Sequence, residues 1–121
     1  MNPISELTAL YEQWRSLTEA EGQAIEATAW VQVEQYQSAK GRLQPRIAEV
    51  TQRLDASTLE REFRAVVDGL MQLEHRNNAL LQRQRHAAER QKQELDRTSR
   101  NLRQIHKSYV PPVRTHWQSY S

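Results

Sequence analysis

The chain has no cysteine, one phenylalanine and three glycines in 121 residues, and no long apolar run. Each absence excludes something. Without cysteine there are no disulfides and no thiolate metal site. Without a run near the ~18 apolar residues of a membrane span, no transmembrane helix is expected. The opening MNPISELTALYEQW has neither a basic start nor a continuous apolar stretch, so no secretory leader is expected and a cytoplasmic protein is the simple reading. No valine- and aromatic-rich alternation marks a strand. A hydrophobic content of 37% suits a narrow seam between helices better than a thick globular core.

What is present is helical. Ala, Glu, Lys, Leu and Arg dominate, the composition of long helices and coiled coils. Asn2-Pro3 is a helix start: a side-chain acceptor, then a residue with no N–H to satisfy. Ile4, Leu7, Tyr11, Trp14 and Leu17 recur at helical spacing, fade through Glu19–Gly22 and resume at Ile25. Trp30, Val33, Tyr36, Lys40, Leu43, Ile47, Val50 and Leu54 form a second stripe. Between the two, Thr28 either caps a new helix or sits in a bend. The second stripe keeps its phase across Pro45, and Gly41 lies where the proline ring meets the preceding turn, so a kink at 41–45 is expected and not a stop. Ser57 and Glu60 make an S-x-x-E capping box. A third stripe follows: Leu59, Phe63, Val66, Leu70, Leu73, Asn77, Leu80, Gln84, Ala87 and Gln91, drifting to Leu95, Leu102, Ile105 and Tyr109 before Pro111-Pro112.

These patterns predict an all-α protein, an elongated antiparallel helical hairpin or three-helix bundle with one long C-terminal helix. The helices fall at about 3–26, 28–54 and 57–109, within one bundle over 1–109, followed by a flexible Pro- and aromatic-rich tail over 110–121. The third helix, ~75 Å at 1.5 Å per residue, matches the first two laid end to end. In the tail, Trp117 and Tyr120 are either a recognition element or local packing.

Charge is uneven. Residues 1–56 are net acidic and 57–121 net basic, although the whole chain is only +2. Either the halves pack with opposite fields, or a basic surface meets an acidic partner. Arg76, Arg83, Arg90 and Arg97 are seven apart and line one edge of the long helix. Glu94–Arg97 and Asp96–Arg100 have the spacing of intrahelical pairs, and the interspersed acids make nucleic acid a weak candidate. His86 and Glu89 have the i, i+3 spacing of carboxylate metal bundles. Those bundles need a second such motif, which is missing, so no metal or other cofactor is expected. No phosphate loop, nucleophile elbow or acid pair is present, and the chain reads as non-enzymatic.

Asn77 is the sharpest single clue. A seam asparagine costs stability and fixes register, because it must find another polar group. Around it, Leu81 beside Leu80, Met71 beside Leu70 and Val67 beside Val66 widen the apolar stripe. Either an external helix covers that extra width or, for Met71 and Val67 above all, another helix of the same chain does.

The set Glu19 and Glu21 before Ala24-Ile25, Trp30 and Glu34 before Lys40 and Leu43, then Leu70, Leu73, Asn77 or Asn78, Leu80 and Leu81 resembles flagellar export chaperones of the FlgN type over about residues 5–109. Ala29-Trp30 also resembles the FliT-type chaperones. The tail departs from both. The resemblance implies a cytoplasmic chaperone that binds C-terminal amphipathic helices of hook–filament junction proteins and delivers them to the type III export apparatus. The substrate-helix face is then expected at Leu73, Asn77, Leu80, Leu81, Gln84, Leu95, Leu102 and Ile105, with export-apparatus contacts at Tyr109, Trp117 and Tyr120. A homodimer is an expectation for the free protein. The alternatives are a self-associating structural coiled coil and, behind it, a basic helical nucleic-acid binder.

Overall fold

The computed structural model describes residues 2–109. It is all-helical, with α1 at Pro3–Glu26, α2 at Trp30–Thr51 and α3 at Ala56–Tyr109. Among the described residues no helix is long and apolar enough to cross a membrane. The described residues divide into two units, 2–84 and 85–109.

The start of α1 is the one expected. The Asn2 side chain accepts from the Ile4 N–H at 2.9 Å, and Pro3 occupies the first helical position. The helix ends in a Schellman turn. The Ala29 N–H donates to Ala24 O at 2.9 Å and the Thr28 N–H to Ile25 O at 3.0 Å, closing the last carbonyls of α1. Thr28 takes the left-handed position at φ 53°, a place usually held by glycine. Of the two roles open to it, Thr28 therefore makes the break and does not cap. Ala29 opens α2 without a side-chain hydrogen bond.

This turn corrects the length argument. α1 and α2 do not lie end to end; they fold back antiparallel. Glu6 near the start of α1 pairs with Arg46 and, at 3.0 Å, with Arg53 near the end of α2. At the other end Ala24 and Ile25 pack with Val33. α2 runs through Pro45 without a break in the helix.

The start of α3 also differs from expectation. Its cap is Asp55, not Ser57: Asp55 Oδ1 accepts from the Thr58 N–H at 2.7 Å and from the Ser57 hydroxyl at 3.2 Å. A carboxylate at this position satisfies a free N–H and also carries the charge that the positive end of the helix favours. The Thr58 N–H, with the Thr58 and Ser57 side chains, holds the Asp55 carboxyl below its ordinary range. Glu60 turns to Arg64 instead of closing a capping box.

Within residues 1–84 the three helices bury two apolar clusters. Leu7, Leu10, Val50 and Phe63 form the first, with Tyr11 edge-on to Phe63 at 5.6 Å between ring centroids. Ala24, Ile25 and Val33 form the second, with Leu80 and Leu81 of α3 packed against it. As Phe63 meets Tyr11 and Leu80 and Leu81 meet Ile25, this part of α3 runs parallel to α1 and antiparallel to α2. Trp30, expected on the apolar stripe, is exposed.

Candidate functional site

Between the two apolar clusters lies a polar layer assembled from all three helices. Thr18 and Glu21 come from α1, Lys40 from α2, and Glu74 and Asn77 from α3. Thr18, Glu21, Lys40 and Asn77 are all buried. Lys40 Nζ donates to Glu21 Oε1 at 3.1 Å and pairs with Glu74 Oε1, while lying 4.9 Å from the centroid of the Trp14 ring. Trp14 Nε1 donates to the same Glu74 oxygen at 3.1 Å, and the Thr18 hydroxyl reaches it at 3.2 Å. One ammonium thus faces two carboxylates and a π face, the arrangement that offsets the large cost of taking a charge out of water.

Asn77 has the role its seam position implies. Its Nδ2 donates to Thr18 O at 2.7 Å and to Glu21 Oε1 at 3.1 Å. Two acceptors on one side fix the amide orientation, since a flipped amide would set oxygen against oxygen. The amide oxygen then has no hydrogen-bond partner and rests against Gly22, where an added Cβ would come within 2.6 Å of it. Gly22 is therefore required here for close approach. The apparent fading of the α1 stripe through Glu19–Gly22 is this same layer: the buried face continues, but in polar residues.

The α3 seam repeats at alternating four- and three-residue steps. Phe63, Val67, Leu70, Glu74, Asn77, Leu81 and Gln84 are buried or half-buried. The extra apolar width is thus used largely within the bundle. Val67 packs on the first cluster and Leu81 on the second, while Val66 and Met71 are exposed.

The expected substrate-helix residues therefore separate. Leu73 and Gln84 are half-buried, Asn77 is buried in the polar layer, and Leu80 and Leu81 serve the core. Leu95, Leu102 and Ile105, in the second unit, are 68%, 62% and 53% exposed. Their seven- and three-residue spacing puts them on one helix face. Tyr109 ends α3; Trp117 and Tyr120 lie outside the described residues. The arginines of the 85–109 segment are exposed, and neither Glu94–Arg97 nor Asp96–Arg100 forms the ion pair its spacing allows.

Along one side of residues 1–84, two adjoining clefts open between α2 and α3, with α1 as their floor. One, of about 350 Å³, is polar and lies over Lys40, Glu21 and Asn77. The other, of about 480 Å³, is mainly apolar and lies over Ile47, Leu70 and Met71. They share Trp14, Gln44 and Glu74 and so form one groove. Among the described residues no group of three or more His, Asp or Glu is placed to hold a metal ion.

Sequence reasoning missed the partners of Asn77 and the pairing of Lys40. The signs were a lysine and a glutamate at helical positions otherwise filled by apolar side chains. Compared with family models, with curated proteins and with solved structures, the chain matches none.

Proposed function

We propose that the protein is a helix-binding export chaperone of the kind its likeness to FlgN implies. In this reading it works in the cytoplasm, without catalysis or cofactor. It holds the C-terminal amphipathic helix of a hook–filament junction protein and passes it to the flagellar export apparatus. The observation that supports it is the exposed Leu95, Leu102 and Ile105 face. Large apolar side chains at helical spacing suit an amphipathic partner helix. Because Asn77 is buried and Leu80 and Leu81 are half-buried against α1 and α2, this reading puts the client surface at residues 95–105.

The test is a titration of a fluorescent peptide carrying the C-terminal helix of a hook–filament junction protein, followed by anisotropy. Saturable one-to-one binding is expected. Leu102→Asp with Ile105→Asp should weaken it at least about 100-fold, equivalent to roughly 2.7 kcal/mol, with an unchanged circular dichroism spectrum. Unaltered binding by that folded double variant, or no binding by the unmodified protein, overturns the reading.

A further inference from the structure

The groove over α1 has the form of a four-helix bundle that lacks one member. Gln37, Gly41, Gln44 and Ala48 form its α2 wall at four- and three-residue steps, and Val67, Met71, Glu74, Asn78 and Leu81 form its α3 wall in the same way. Such paired edges accept a helix by interdigitation. There is room for one: a Cβ added at Gly41 would meet nothing within 4 Å, and Met71 is half exposed. The α3 wall from Val67 to Leu81 is ~21 Å long at 1.5 Å per residue.

Charge and length indicate the occupant. Residues 1–84 hold twelve acidic and nine basic side chains; residues 85–109 hold three acidic and seven basic. Lys40 is nearly fully enclosed, so Glu74, one-third exposed where the two clefts join, is the charge of the polar layer that the groove presents. Leu95 to Ile105 spans ~15 Å and fits within the ~21 Å wall. A basic helix with an uncovered apolar face and an acidic unit with an uncovered, partly apolar groove are complementary in sign, size and polarity. Pairing two 85–109 faces with each other would instead bring like charges together.

We propose that the α2–α3 groove of one molecule receives residues 85–109 of a second copy, with Leu95, Leu102 and Ile105 seated along the groove and the basic side chains drawn to Glu74 and the net-acidic 1–84 unit. This self-association goes beyond the chaperone reading and needs no client.

The test uses the full chain in light scattering and sedimentation equilibrium. The unmodified protein should associate to about twice its 14.2 kDa mass. Its association constant should fall about tenfold or more between about 50 mM and about 500 mM salt, because screening shortens the reach of the opposed charges. Gly41→Arg with Ala48→Arg fills the groove at two exposed positions with charge that repels a basic helix. Leu102→Asp with Ile105→Asp removes the apolar face. Each double variant should be monomeric with an unchanged circular dichroism spectrum. Mixing the two should restore a heterodimer, because one supplies an intact groove and the other an intact face. A protein that stays monomeric, a groove variant that associates normally, or a mixture that fails to pair overturns the proposal. Association that survives in the groove variant but not in the face variant would identify face-to-face pairing instead.

Discussion

Residues 63–84 and 88–105 of α3 carry the same alternating four- and three-residue repeat, yet they sit in opposite surroundings. In the first stretch the repeat is buried or half-buried against α1 and α2. In the second, Ala88, Gln91, Leu95, Thr98 and Leu102 are all exposed. A heptad repeat therefore identifies a face that can be covered, not a face that is. The first stretch also carries Glu74 and Asn77 on its seam, and both have partners on α1 or α2. The second has Gln91 and Thr98 at equivalent places, both exposed.

The strongest way to break this comparison is Lys40→Met. It removes the cation from beside Glu21 and leaves a buried carboxylate uncompensated, which should cost about 3–5 kcal/mol in urea unfolding. Changing Glu21→Leu as well should recover part of that loss, since no fully buried carboxylate then remains without its cation. A single-variant cost below about 1 kcal/mol would show that the layer does not hold the bundle.

Gly22→Ala should cost less, about 1–3 kcal/mol, because its Cβ strikes an amide already pinned by two hydrogen bonds. Asn77→Ala removes that obstacle. The double variant should therefore be more stable than the sum of the two single losses predicts. Strict additivity would contradict the close approach.

The smallest effect belongs to the second stretch. At dilute protein and high salt, where the chain is monomeric, Leu95→Ala should alter unfolding free energy by about 0.5 kcal/mol or less, as exposed substitutions do. A loss of 2 kcal/mol or more under those conditions, about that of a core leucine, would mean that the face is covered within the monomer.

Much of the architecture was legible in local chemistry. Asn2-Pro3 announces the first helix, the stripe phase carries α2 through Pro45, and Asn77 declares a polar need inside a seam. One local detail was misread and one was left open. Asp55 outcompetes Ser57 because a carboxylate both accepts a hydrogen bond and supplies charge. Thr28 reverses the chain because it takes a left-handed backbone that its side chain does not advertise. The layer was harder to see for another reason. Asn77 meets Thr18 and Glu21 across more than fifty residues, and Lys40 meets Glu74 across more than thirty. No short window holds both members of either pair. Glu74 lies two residues from Arg76 in the sequence, yet the cation it pairs with, Lys40, comes from another helix.

Glu74 and Asn77 also bear on whether another leucine-striped helix could displace α3 from the bundle. Such helices resemble α3 closely enough to invade the bundle and take its place. An intruder with leucine at both sites would take one of the two carboxylates from Lys40 and the Asn77 donor from the Thr18 carbonyl and Glu21. The layer thus acts as a lock that only a helix with the polar pattern of α3 can open.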